Sequence, residues 1–157
     1  MTDFEGDQLN VLVIDDDPDV RNLLVDIITR KGHQAIAVSS AEEGLELLPF
    51  WTFQVAFLDQ FLPGMEGLFL GEYLRRNNPN MMIALITGQP DRQLERRTRQ
   101  ASIRFIPKPF QIQEIFDLLE DYVAEAAERE ELRKHHEDDD YSPPIARYVD
   151  ELRGCFD

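Results

Sequence analysis

Residues 11–20 read VLVIDDDPDV: four aliphatic side chains run straight into three consecutive carboxylates. Asp15, Asp16 and Asp17 placed together repel one another, which makes at least one of them harder to ionise and calls for a positive partner. Three other apolar runs end on polar residues in the same way. Asp59 follows 55–58, Thr87 follows 81–86, and Lys108 lies just beyond 103–106. Carboxylates, a hydroxyl and an ammonium are what a hard cation and a phosphoryl group need. Mg²⁺ takes oxygen ligands in octahedral geometry, usually one or two carboxylates with water and phosphate oxygens. An aspartate on the phosphoryl axis can be the nucleophile, while metal and lysine offset charge on the phosphoryl oxygens.

Those residues meet only if the apolar runs are neighbouring strands. Five runs, 11–14, 35–38, 55–58, 81–86 and 103–106, alternate with helical patterns, the signature of a parallel sheet wrapped by helices. In such an open α/β sheet, ligands bind beyond the carboxyl ends of the strands, so every polar residue closing a run becomes a candidate. The first helix is the best marked. Asp17 is its N-cap, Pro18 its first residue, Val20, Leu23, Leu24, Ile27 and Ile28 one face, and Gly32 its stop. A second helix opens at Ser39 or Ser40, each with a glutamate three residues on, and Pro49 closes it. The third spans 68–77. The fourth, PDRQLERRTRQ, starts at Pro90 and has little apolar stripe beyond Leu94, so it is expected to be loosely held. In the fifth, Ile112, Ile115, Phe116, Leu119, Tyr122, Val123 and Ala126 form an amphipathic face that can run on into EREELRKHHEDDD.

The chain's 157 residues suit one domain with a short appendage. No apolar run reaches the roughly 20 residues that span a bilayer, and MTDFEGDQLN does not read as a signal peptide. Cys155 is the only cysteine, so no internal disulfide can form, which suits a reducing cytoplasm. A net charge of −15 argues against nonspecific binding to nucleic acid or anionic membrane. Residues 1–109 carry 16 acids and 11 bases, residues 110–157 carry 15 acids and 5 bases, so the C-terminal part is a separate compositional region.

Over about residues 8–126, four stretches in order, VLVIDDDPDVR, FLDQFLPGMEG, LITG and FIPKPF, resemble the receiver domain of bacterial two-component response regulators. The resemblance implies a (βα)5 flavodoxin-like, doubly wound parallel sheet of order 2-1-3-4-5; the residue pattern beyond it adds an extended C-terminal helix and an acidic tail at 127–157. It implies Asp59 as phosphoacceptor, Asp16 and Asp59 as direct Mg²⁺ ligands, Asp15 helping through water, and the carbonyl of Phe61 as a further ligand. Thr87 and Lys108 would contact the phosphoryl oxygens, Phe105 matches an aromatic switch position, and Lys108-Pro109 matches a bond usually cis in the family. The expected role is a cytoplasmic switch, catalysing only its own phosphorylation and dephosphorylation. Its partners would be a sensor histidine kinase or phosphotransfer protein, then an output protein or a second copy through the face from the fourth to the fifth helix. Phe61 and Gln89 stand where the family tunes phosphate lifetime. Bulky Phe61, and Leu62 in place of a frequent Met, are mild departures.

Several residues have simpler readings. Asp17 is explained by its cap, Gly64 and Gly67 by turns, and the alternative to the switch role of Phe105 is a plain core aromatic. His135 and His136 sit in a solvated charge run without ligand-type partners, and 137–140 reads as a linker rather than a calcium site. One rival function is a haloacid dehalogenase-type phosphatase with Asp15 as nucleophile, which needs a further acidic pair after a later strand and leaves Asp59 unexplained. Another is a degenerate receiver serving only as an interaction module, against which the intact site residues speak. No DNA-binding module is recognisable in 127–157, which reads as a stand-alone receiver or a piece of a longer regulator. In the tail, Ser142 could cap a short helix with Ile145, Tyr148, Val149 and Leu152 on one face, drawn to the arginines of the fourth helix, or the terminus could be frayed.

Overall fold

A computed structural model describes residues 8–139. Its sheet is built from the apolar runs: β1 (Asn10–Ile14), β2 (Gln34–Val38), β3 (Val55–Asp59), β6 (Met82–Thr87) and β7 (Arg104–Pro107). All pairings are parallel, in the order β2-β1-β3-β6-β7, which is the expected 2-1-3-4-5. Every residue of β3 and β6 is buried, as continuous apolar runs require when helices cover both faces of a sheet. The edge strand β2 has no fully buried residue. A two-stranded antiparallel hairpin, β4 (Phe61–Leu62) with β5 (Met65–Glu66), comes after β3 and has no counterpart in the sequence reading.

Helix α1 (Pro18–Arg30) starts where expected, with the Asp17 side chain accepting from the Asp19 N–H, and buries Leu24, Ile27 and Ile28. Each such side chain contributes about 1.5–3 kcal/mol on burial. Helix α2 (Ala41–Leu47) takes Ser40 as its cap, while Glu43 returns to the Ser39 N–H, so the two candidate serines share the motif. Helix α3 is Gly67–Asn77. Helix α4 is Arg92–Gln100, two residues later than Pro90 suggests, because Asp91 is the cap and accepts from the Leu94 N–H. Only Leu94 and Thr98 of α4 are buried, in keeping with a loosely held helix. Leu68, Leu70 and Leu74 of α3 and Leu94 of α4 share one core with Leu12, Leu58, Ile83 and Leu85 of the sheet. Arg75, at the end of α3, donates to the carbonyls of Pro79, Met81 and Ser102, tying the approaches to β6 and β7 together.

Helix α5 (Ile112–Asp139) runs on into the charged stretch as the amphipathic pattern allowed. The described residues divide into two compact units, one ending at Tyr122 and the other beginning at Val123. In the second, Arg133 pairs with Glu130 and Glu137 along the exposed helix, contacts worth little individually. The expected tail helix from Ser142 lies outside the described residues.

Candidate functional site

Strand register brings the candidates together. Ile14 pairs with Leu58, which sets Asp15 beside Asp59; Asp59 pairs with Ile86, one residue before Thr87; Thr87 pairs with Pro107, one residue before Lys108. Four chain segments thus deliver their polar residues to one edge of the sheet. Asp15, Asp59 and Thr87 are buried, Asp16 is exposed, and Lys108 lies between these extremes.

Lys108 Nζ bridges the carboxylates, 3.1 Å from Asp15 Oδ2 and 3.2 Å from Asp59 Oδ1. The positive partner demanded by the aspartate run is therefore a lysine 93 positions away. The other oxygen of Asp15 accepts from the Asp17 N–H at 2.9 Å, and its backbone carbonyl accepts from Arg21 Nη1 at 2.7 Å. Asp15 is held on three sides, whereas Asp59 keeps Oδ2 clear of the lysine contact. Burial, with the charges of Asp15 and then Asp16, raises the pKa of Asp59 above the usual carboxylate range, although Lys108 pulls it down. Burial alone lowers the pKa of Lys108, but its hydrogen bonds and charge pairs with Asp15 and Asp59 outweigh that and leave it above the ordinary lysine value.

Asp15, Asp16 and Asp59 each offer a carboxylate oxygen, all within 4.8 Å of one another. Three oxygen donors of one chemical type, one of them open to water, fit a hard cation that keeps part of its hydration shell. A carboxylate that is costly to ionise alone gains from such a cation. The Thr87 hydroxyl accepts from the Gln89 N–H at 3.1 Å, which leaves its own proton for another acceptor. The Lys108 N–H donates to the Thr87 carbonyl at 2.7 Å, and the Lys108-Pro109 bond is cis. Phe105 is half-buried and packs against the core, and Phe61 is exposed on the hairpin.

Gln60 escaped the sequence reading, and Gly67 was read there as a turn glycine. Gln60, next to Asp59, is buried; its side-chain oxygen accepts from the Leu68 N–H at 2.9 Å and its carbonyl from the Gly67 N–H at 3.0 Å. It does the capping that Glu66, at the N-cap position of α3, does not. The turn reading holds for Gly64, whose φ of 76° suits the tip of the hairpin, but needs correcting for Gly67. A Cβ on Gly67 would stand 2.0 Å from the Asp59 carbonyl oxygen, so the residue is small because the backbone after β3 passes against it. A glycine beginning a helix eight residues after the aspartate was the available signal.

The profile described as the response regulator receiver domain matches residues 11–120. Response regulator protein FleR of Pseudomonas aeruginosa is 34% identical over 111 residues, 69% of this chain and 23% of FleR. The DNA-binding transcriptional regulator NtrC of Proteus hauseri is 31% identical over 112 residues, 71% of this chain and 24% of NtrC. The chain thus spans about a quarter of the length of these curated relatives. Among solved structures, a response regulator receiver domain protein (CheY-like) from Methanospirillum hungatei JF-1 shares the fold. Its TM-score is 0.73 at 24% identity, covering 78% of this chain and 98% of that one.

Proposed function

This chain belongs to the response regulator receiver family, and from that premise we propose that it is a phosphorylation-operated switch with Asp59 as the acceptor. The observation that carries the proposal is the Lys108 bridge between Asp15 and Asp59, with Asp16 completing a carboxylate ring. A free Asp59 oxygen attacks phosphorus in the phosphohistidine of a sensor histidine kinase or phosphotransfer protein. The O–P bond forms, the P–N bond breaks, and the imidazole leaves with a proton. Asp15, Asp16, Asp59 and the Phe61 carbonyl would hold Mg²⁺, which when bound supplies positive charge to the phosphoryl oxygens. Lys108 supplies a further positive charge, and the Thr87 hydroxyl has a proton to donate to a phosphoryl oxygen.

The switch assigns the other parts of the chain. The receiver is residues 8–126 and the acidic extension 127–157. Phe105 and Thr87 are assigned the switching movement, and output is assigned to a partner protein or a second copy at the face from α4 to α5. The chain acts on no separate substrate. A cytoplasmic place is part of the proposal; no helix among the described residues is long and apolar enough to cross a membrane. The phosphatase reading loses its support in Asp15, because both oxygens of that carboxylate are engaged. The acidic pair it needs would include Asp138 and Asp139, which belong to α5 and not to a loop after a strand.

The test is incubation with acetyl phosphate, with and without Mg²⁺, and location of the label by mass spectrometry. Label on Asp59 that requires Mg²⁺ and vanishes in Asp59→Asn is expected. Undiminished labelling of that variant overturns the assignment, and label on Asp15 restores the phosphatase.

A further inference from the structure

Residues 75–104 contain seven arginines, no lysine and only two carboxylates, Asp91 and Glu95, within a chain of net charge −15. Helices α3 and α4 carry six of the seven arginines, sharing a core and joined by Arg97 to Glu72 at 3.6 Å. On α4, Arg92, Arg96 and Arg99 stand at i, i+4 and i+7, an exposed stripe turned away from buried Leu94 and Thr98. On α3, Phe69, Tyr73 and Arg76 repeat that spacing, and the two aromatic side chains are 56% and 44% exposed. Among the described residues Arg76, Arg92 and Arg96 have no ion pair or hydrogen-bond partner for their side chains. Nothing within the fold accounts for two solvated aromatics beside unpaired guanidinium groups. Aromatic and arginine side chains are what protein docking surfaces concentrate, and arginine pairs with carboxylates through two parallel hydrogen bonds.

We infer that the α3–α4 face docks an acidic amphipathic helix of a partner protein, with its carboxylates on Arg76, Arg92, Arg96 and Arg99 and its apolar side on Phe69 and Tyr73. Charge selects this occupant. A nucleic acid would extend past the patch over a surface dominated by carboxylates, and Asp91, Glu95 and Glu72 would face its phosphates. A second copy would bring a net charge of −15 against an equal one. An acidic helix as long as the nine residues of α4, about 14 Å, stays within the positive patch. The inference adds a docking face that shares α4 with the α4–α5 output face proposed above and is separate from it, and only its dependence on phosphorylation rests on that reading.

The test uses the full chain and a fluorescent helical peptide of glutamate and leucine, with a lysine and leucine peptide as control. Anisotropy gives affinity, and backbone amide shifts give the site. Binding of the acidic peptide is expected, with shifts confined to 69–76 and 92–99. Arg92→Ser, Arg96→Ser and Arg99→Ser together are expected to weaken it about tenfold, as is Phe69→Ser with Tyr73→Ser. Undiminished binding by the arginine variant, or equal binding of both peptides, overturns the inference. So does a preference for a single-stranded oligonucleotide of equal charge, or a dimer in sedimentation that the arginine variant abolishes. Labelling of Asp59 by acetyl phosphate is followed on the same samples. Absent labelling with peptide binding intact strikes the switch and keeps the docking surface, and normal labelling without peptide binding does the reverse.

Discussion

The carbonyl oxygen of Asp59 lies 2.0 Å from where a Cβ on Gly67 would stand. The proposed acceptor and the first residue of α3 are therefore in backbone contact, and the hairpin between them is closed by the Gly67 N–H on the Gln60 carbonyl. An added methyl cannot be absorbed by a side-chain rotation, because the obstacle is main chain. Gly67→Ala is expected to cost about 1–3 kcal/mol of stability and to slow labelling of Asp59, since the loop must shift to make room. Gly64→Ala meets open space apart from Glu42 and pays only for its positive φ, about 1 kcal/mol, with labelling retained. Urea midpoints and acetyl phosphate labelling rates separate the two variants, and a Gly67→Ala chain as stable as the parent contradicts the close approach.

Asp59 ionises against burial and the charges of Asp15 and Asp16, with Lys108 only partly compensating. Its folded pKa is raised, so the folded chain holds this proton over a pH range where the unfolded chain has lost it. The associated stability is fully present below the ordinary carboxylate value, about pH 4, and is lost as pH rises through the folded value. Asp59→Asn removes this titration. In metal-free buffer the variant is expected to melt above the parent at pH 7, by a margin that shrinks toward pH 4. Mg²⁺ should reverse the order, because saturation at a hundredfold the dissociation constant adds about 2.7 kcal/mol to the parent and less to a variant short of one carboxylate. Thermal melts with EDTA and with Mg²⁺ check both signs; a parent that melts higher in EDTA at pH 7 sinks the argument.

The grouping of the candidate residues was legible in the sequence because parallel register converts the ends of apolar runs into neighbours. Val55–Asp59 and Met82–Thr87 are buried throughout, so their patterns read as strands, and the polar residue at the end of each strand had to lie at one edge. The roles of Gln60 and Gly67 were hidden for a different reason. A glutamine after a strand and a glycine before a helix have many uses, and theirs is set by how closely one backbone passes another. Asp91 was overlooked beside Pro90 because both residues signal a helix start, and only the side-chain bond to the Leu94 N–H decides between them. The hairpin at Phe61 is too short for any alternation to show.

Gln60 acts on the proposed chemistry through position. Its amide oxygen takes the Leu68 N–H inside a buried loop, so Gln60→Leu leaves that donor bare at a cost of about 1–3 kcal/mol. Gln60→Glu keeps an acceptor at the start of α3 and should recover most of that stability. It also adds a negative charge next to Asp59, which strengthens attraction for the cation, so half-maximal labelling is expected at a lower Mg²⁺ concentration than in the parent. A purely structural residue would give equal Mg²⁺ dependence in the parent and in Gln60→Glu. Titration of labelling rate against Mg²⁺, alongside urea melts, tells the two roles apart.

Thr87 connects the site to α4 through short, identifiable links. Its hydroxyl accepts from the Gln89 N–H, and two residues later the Asp91 side chain caps α4 at the Leu94 N–H. If the hydroxyl turns to donate to a phosphoryl group on Asp59, the Gln89 amide must move with it or lose its partner, and the cap is carried along. The helix yields readily, because only Leu94 and Thr98 anchor it. Its neighbour Phe105, half-buried against the same core, can fill space that Thr87 vacates. Thr87→Ala is therefore expected to keep most labelling of Asp59, since Lys108 and the carboxylates remain, while losing the amide shifts that labelling produces across 89–100. Thr87→Ser, which keeps the hydroxyl, is expected to retain them. Asp91→Ala should loosen α4 by about 1 kcal/mol and raise hydrogen exchange at 92–100 even without phosphate. Labelling-dependent shifts of the same size and pattern in Thr87→Ala as in the parent would show that α4 receives its signal by another route.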